Sequence, residues 1–114
     1  MNCVIDKEDL KLIKQVYNFS SAHKVTLYLV GGYLRDLILN RQKPNPDIDF
    51  CIKEGAIIFG RGLAKGIKAD FVVLDKEHGC CRLLKKIGGV VYTLDFTDFR
   101  GKTLPEDLLL RDLP

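Results

Sequence analysis

The chain has 114 residues and a formal net charge of +3; 46% of its residues are hydrophobic and 29% are charged. This length and composition indicate one ordinary globular domain and exclude a low-complexity or collagen-like chain. No run of about 18 consecutive apolar residues occurs, so the sequence contains no candidate membrane-spanning helix and we expect no membrane partner. The modest positive charge permits a nucleic-acid partner without requiring one.

The four cysteines indicate neither a zinc site nor a disulfide framework. No Cys-x-x-Cys pair occurs, and neither histidine completes a spacing typical of zinc ligands. Cys80 and Cys81 are adjacent, so on a strand their side chains would point to opposite faces. We interpret the cysteines as reduced, small apolar fillers in a cytoplasmic protein.

The first half of the chain predicts an alternation of helices and strands. Apolar residues recur at helical spacing from Asp6, an expected N-cap, to residues 20–24. The β-branched and aromatic run Val25–Val30 predicts a strand. A glycine turn follows, after which helical spacing returns, and a loop with two prolines leads to a second strand over residues 48–52.

The second half predicts a helix over residues 55–68 and three strands, at residues 69–74, 80–85 and 90–96. A final helix is expected over residues 104–110, with a proline in its first turn. The sequence predicts an α+β or mixed α/β domain built around one largely antiparallel sheet.

A pair of acids on the second strand is the first candidate for chemistry. In the run Asp47-Ile48-Asp49-Phe50, alternation places both carboxylates on one face and the two apolar side chains on the other. Two like charges roughly 6–7 Å apart repel each other, and a divalent cation between them would remove the conflict. Carboxylate oxygens suit Mg²⁺. The alternative is a solvent-facing strand with two solvated acids.

A third acid, Asp95, lies in the alternating run at residues 91–96. If this strand pairs beside the first, Asp95 completes a cluster of three carboxylates, as a two-metal phosphoryl-transfer site requires. The alternative is an exposed acid paired with Arg100 or Lys102. Asp98 is a rival third acid, nearer the end of the strand.

The pair Gly31-Gly32 stands between a predicted strand and a predicted helix. Glycines let backbone N–H groups approach a phosphate closely, and the helix N-terminus adds a partial positive charge. Arg35, one turn later, could reach the same phosphates as a planar donor. A simple turn is the alternative, because the run fits neither the P-loop nor the Gly-x-Gly-x-x-Gly pattern.

Taken together, these segments resemble the opening motifs of the tRNA nucleotidyltransferase/poly(A) polymerase family. The matching segments are Leu29 to Asp36, Asp47 to Phe50, Phe71 to Asp75, Arg82, Leu94 to Phe96, Arg100-Gly101, Glu106 to Leu108 and Arg111 to Leu113. More specifically, the chain resembles the head domain of bacterial class II CCA-adding enzymes, within the DNA polymerase β-like nucleotidyltransferase superfamily. The resemblance covers nearly all of residues 25–113.

The resemblance implies a role for each matching residue. Asp47, Asp49 and Asp95 correspond to the catalytic, metal-binding acids, with Mg²⁺ as the cofactor and Asp95 as the activator of the primer 3′-hydroxyl. The implied nucleotide-binding residues are Gly31, Gly32, Arg35, Arg100, Arg111 and Asp112. The implied partners are ATP or CTP and the 3′ end of an RNA, with tRNA as the expected one. Only the resemblance supplies this RNA substrate.

Two departures from the family pattern bear on function. Leu110 stands where the family usually has the first of two arginines. The base-selecting segment and the helical tRNA-binding domains have no counterpart in the sequence. We therefore expect residues 1–114 to form an α+β nucleotidyltransferase head domain, cut before a helical neck and body. The resemblance implies a twisted, mainly antiparallel sheet with helices packed on one face. The expected reaction adds CMP or AMP to tRNA with release of pyrophosphate; the alternatives are a poly(A) polymerase and a non-catalytic nucleotide-binding module.

Overall fold

A computed structural model of the chain describes residues 7–30, 45–99 and 108–110. These residues form two helices and six strands. The helices are α1 (Lys7–Ala22) and α2 (Ala56–Ile67), and the strands are β1 (Tyr28–Val30), β2 (Asp47–Ile52), β3 (Asp70–Asp75), β4 (Cys80–Ile87), β5 (Val90–Asp98) and β6 (Leu108–Leu110). Neither helix is long and apolar enough to cross a membrane.

All six strands belong to one sheet, in the order β3-β4-β5-β2-β1-β6. Every neighbouring pair is antiparallel except β2 and β5, which run parallel at the centre of the sheet. The predicted α+β class with a mainly antiparallel sheet is therefore confirmed. The one parallel pair arises because α2, β3 and β4 lie between β2 and β5 in the chain and return it to the same end of the sheet.

One face of the sheet is buried under both helices. Alternate residues of the two central strands, among them Phe50 and Phe96, are fully buried, and their rings stack with centroids 5.0 Å apart. Leu12 and Val16 on α1 join the same apolar cluster, as does Leu63 on α2. The helices thus pack on one face, as predicted, and the other face of the central strands remains accessible.

Helix α2 lies unusually close to β4 because it carries a glycine at the point of contact. A methyl group added at Gly60 would meet the Cys81 sulfur at 2.5 Å. The Cys81 thiol donates a hydrogen bond to the carbonyl oxygen of Ala56 at 3.3 Å, and burial raises its pKa to about 12. Cys80 is only half-buried on the opposite face, as the alternation predicts, and both thiols are free.

The predicted final helix over residues 104–110 is wrong at its end. Leu108–Leu110 form β6, which pairs antiparallel with β1 at the edge of the sheet. A run of three leucines is compatible with a helix and with a strand, and here backbone pairing with β1 selects the strand. The predicted cap at Asp6 and the predicted helix after Gly31-Gly32 lie outside the described residues.

Candidate functional site

Strand β2 presents two carboxylates on the accessible face of the sheet. Asp47 and Asp49 are exposed, whereas Ile48 and Phe50 between and beyond them are fully buried. This is the alternation that the sequence predicts. The buried side chains anchor the strand against the helices, so the position of the two acids is set by the core directly beneath them.

The register of the sheet brings the third predicted acid beside this pair. In the parallel ladder Asp49 lies opposite Asp95, and Asp47 lies opposite Thr93. Adjacent strands are about 4.8 Å apart, so the three acids lie on neighbouring positions of one surface. We call the accessible side of β2 and β5, with Asp47, Asp49 and Asp95, the acidic face. The pairing on which the three-acid hypothesis depends is thus present.

Strand β4 adds an arginine to the acidic face. Arg82 lies opposite Asp95 on the other side of β5. Its Nε donates to Asp95 Oδ1 at 2.8 Å and its Nη2 donates to Asp95 Oδ2 at 3.0 Å. These hydrogen bonds, and then the charge of Asp95, raise the pKa of Arg82, and the charges of Asp47 and Asp49 act in the same direction. Arg82 therefore lies within electrostatic reach of all three acids.

The Arg82–Asp95 pair alters the expected environment of the third acid. The Asp95 side chain is 19% exposed and the Arg82 side chain is 41% exposed, so the acid is the more buried partner of the pair. The predicted alternative, a pair of Asp95 with Arg100 or Lys102, falls on residues outside the described ranges. The partner that the structure shows for Asp95 is Arg82, on the adjacent strand.

The chemistry of the donor set fits a hard divalent cation. Asp47 and Asp49 offer exposed carboxylate oxygens on one face, the ligand type that Mg²⁺ prefers. Across the part of the chain that the structure describes, no three Asp, Glu, His or Cys side chains are grouped closely enough to hold a metal ion. The third carboxylate is adjacent but held by Arg82, and the assignment of all three acids to metal stays a prediction.

Asp98, the rival third acid, has a structural contact instead. Its Oδ1 accepts a hydrogen bond from the backbone N–H of Ala56 at 2.8 Å, at the first residue of α2. A carboxylate at this position satisfies a backbone donor and interacts favourably with the helix dipole. Asp98 thus ties the end of β5 to the start of α2, away from Asp47.

The predicted phosphate-binding and tail residues lie outside the described residues; they are Gly31, Gly32, Arg35, Arg100, Arg111 and Asp112. The described residues on either side of residues 31–44 show where the segment that carries Gly31, Gly32 and Arg35 joins the sheet. β1 runs antiparallel to β2 with Leu29 opposite Phe50, so the chain leaves Val30 toward the Asp47 end of β2. It re-enters at Asn45, whose Oδ1 accepts a hydrogen bond from Val91 N at 3.0 Å. Both flanks of the glycine pair are therefore attached beside the acidic face.

Sequence reasoning assigned no role to Arg82, although it lies within the matched segments. The available signal was alternation: Cys81 and Leu83 face the core, so Arg82 must point to the accessible face. The local sequence does not show which strand lies beside β4. Only the β4–β5 register shows that Arg82 meets Asp95.

Comparisons with known proteins agree with this geometry. The family model described as "Poly A polymerase head domain" matches residues 27–113. A CC-adding tRNA nucleotidyltransferase from Synechocystis sp. is 39% identical over 84 residues, which cover 74% of this chain and 19% of the relative. An A-adding tRNA nucleotidyltransferase from Halalkalibacterium halodurans is 31% identical over 64 residues, covering 56% of this chain and 14% of the relative.

A solved structure of a CCA-adding enzyme in complex with ATP shares the fold. It superposes with a TM-score of 0.71 at 25% identity, covering 84% of this chain and 22% of the other. The chain therefore spans about a fifth of the length of the proteins that it matches. The range matched by the family model, residues 27–113, includes all six strands and Asp47, Asp49 and Asp95.

Proposed function

The chain belongs to the poly A polymerase head domain family, and from this premise we propose that it is the catalytic head of a template-independent RNA nucleotidyltransferase. The proposed reaction adds CMP or AMP to the 3′ end of tRNA and releases pyrophosphate. The observation that carries the proposal is the register that sets Asp49 beside Asp95 on one accessible face, with Asp47 on the same strand. We propose that residues 1–114 form this one head domain.

The proposed mechanism is an in-line displacement at phosphorus. The terminal 3′-hydroxyl of the RNA attacks the α-phosphate of the nucleotide, and the bond between the α-phosphorus and its bridging oxygen breaks. Asp95 is proposed to accept the hydroxyl proton, since its carboxylate lies beside the two other acids. Pyrophosphate leaves with the electron pair of the broken bond. Most of the rate would come from positioning and electrostatic stabilisation.

Asp47 and Asp49 are the residues proposed to hold Mg²⁺, with Asp95 as the third ligand. Held by these acids, Mg²⁺ would supply positive charge to offset the negative charge that develops on the phosphate oxygens. The chain's own contribution is a rigid strand, because the buried side chains of Ile48 and Phe50 prevent the two carboxylates from changing face. Gly31, Gly32 and Arg35 are proposed to bind the triphosphate, and Arg100, Arg111 and Asp112 the rest of the nucleotide.

Two other functions differ from this one in substrate or in turnover. The description of the matched family names poly A polymerase. A poly(A) polymerase would use ATP alone and add many nucleotides. A nucleotide-binding module would bind nucleotide without turnover.

We propose that the protein acts in the cytoplasm, where thiols such as those of Cys80 and Cys81 stay reduced.

The test is nucleotide addition by the purified chain with tRNA that lacks its terminal nucleotides, Mg²⁺, and labelled CTP or ATP. We expect incorporation and matched pyrophosphate release, and a loss of at least about 100-fold in Asp49→Asn. Asp70→Asn is the control because Asp70 is an exposed acid on the edge strand β3 and should retain activity.

The outcomes separate the candidates. Addition of one or two nucleotides supports the tRNA reaction, and long products from ATP alone support a poly(A) polymerase. Mg²⁺–ATP binding without pyrophosphate release indicates the binding module. Normal incorporation by Asp49→Asn would contradict the assignment of the acidic face.

A further inference from the structure

Arg82, on the adjacent strand β4, contacts an acid of the acidic face directly. Its planar guanidinium donates to both oxygens of Asp95, at 2.8 and 3.0 Å, from two different nitrogens. Such a two-point contact fixes the orientation of the carboxylate as well as its charge. Arg82 therefore occupies the oxygens that a divalent cation would need from Asp95.

The surroundings make this contact more than a surface ion pair. Three carboxylates lie on neighbouring positions of β2 and β5, and like charges at such positions repel each other. The Asp95 side chain is mostly buried, at 19% exposure, so leaving it without a partner would be costly. The nearest other cation on the same face of β4 is Lys86, four residues away and about 13 Å along the strand.

Resting on the proposed function, we infer that Arg82 is a built-in counter-cation that holds Asp95 and competes with the divalent ion for its carboxylate. In the absence of metal, the guanidinium offsets part of the negative charge and keeps Asp95 oriented. When a divalent ion binds at Asp47 and Asp49, Asp95 can join only by giving up part of its contact with Arg82. Arg82 is thus a positioning residue that sets the affinity of the acidic face for metal.

The experiment is a titration of the purified 114-residue chain with Mn²⁺ alone, followed by the loss of the electron paramagnetic resonance signal of free Mn²⁺. No nucleotide or RNA is added, so the readout is independent of activity. Removal of the competing charge in Arg82→Gln should tighten Mn²⁺ binding by about three- to tenfold. Arg82→Lys keeps one charge but loses the two-point contact, so its affinity should lie between those of the wild type and Arg82→Gln.

Two further variants separate this contact from a general charge effect. Lys86→Gln removes the same charge from the same face of β4, and we expect it to change the Mn²⁺ affinity less than twofold because solvent and salt screen that distance. In an Asp95→Asn background, adding Arg82→Gln should also change the affinity less than twofold, because the competition acts through the Asp95 carboxylate. Arg82→Lys carries the test if Arg82→Gln does not fold.

The results that would overturn the inference are distinct from those that would overturn the proposed function. Equal Mn²⁺ affinity in wild type, Arg82→Gln and Arg82→Lys would remove the role of Arg82 and leave the metal site intact. An equal gain in affinity from Lys86→Gln would show that net charge, not the Asp95 contact, sets the affinity. Absence of Mn²⁺ binding in every variant would overturn the metal site itself, and the inference with it.

Discussion

On β2 and β5 most side chains that point toward the helices are apolar and buried, whereas those that point away include three carboxylates. Phe50 and Phe96 stack beneath the sheet at 5.0 Å. One residue earlier on the same two strands, Asp49 and Asp95 lie opposite each other on the accessible face. The two faces share a backbone and a register, but apolar burial on one face favours folding and like charges on the other oppose it.

The buried face and the acidic face affect the stability of the fold in opposite directions. Burial of large apolar side chains stabilises the fold, while like charges at neighbouring positions destabilise it. The Arg82–Asp95 pair relieves part of that repulsion, because it sets a positive charge against one of the three carboxylates. Substitutions on the buried face should therefore lower the stability, whereas substitutions on the acidic face should lower the activity.

The largest expected effect comes from the buried face. Phe96→Ala removes a fully buried ring that contacts Phe50 and Phe59, and it should lower the free energy of unfolding by about 3–5 kcal/mol. Thr93→Ala, on the accessible face of the same strand, should cost about 1 kcal/mol or less. Urea denaturation of both variants measures the difference. Similar losses would contradict the division between the two faces.

A smaller effect is expected where α2 meets β4. Gly60→Ala places a methyl group against the Cys81 sulfur and should destabilise the protein by about 1–3 kcal/mol. Gly66→Ala in the same helix meets only Phe19, at 4.0 Å, and should stabilise the protein by about 0.5–1 kcal/mol through helix propensity. Thermal unfolding of the two variants gives the signs. A stabilising Gly60→Ala would show that α2 can move away from the sheet.

Local patterns in the sequence were sufficient to place side chains on a face. The alternation in β2 correctly predicted that Asp47 and Asp49 are exposed and that Ile48 and Phe50 are buried. The same rule separated Cys80 from Cys81. These predictions succeed because the side-chain direction in a strand depends only on the position along it.

Pairing between distant segments could not be predicted in the same way. The partner of Asp95 depends on the β4–β5 register, and the role of Asp98 depends on a contact with Ala56, 42 residues away. The strand at Leu108–Leu110 depends on the edge that β1 offers. In each case the local sequence allows several structures, and a tertiary contact selects one of them.

The most direct test of the two-face account is urea unfolding of the wild type and of the double variant Asp47→Asn/Asp49→Asn, each with and without Mg²⁺–ATP. Without ligand, the two proteins should differ by about 1 kcal/mol or less, because Asp47 and Asp49 are exposed and the buried face is unchanged. With ligand at about 100 times its dissociation constant, the wild type should gain about 2.7 kcal/mol and the double variant almost nothing. An equal gain in both proteins would show that the nucleotide and its metal bind elsewhere, and would contradict the account.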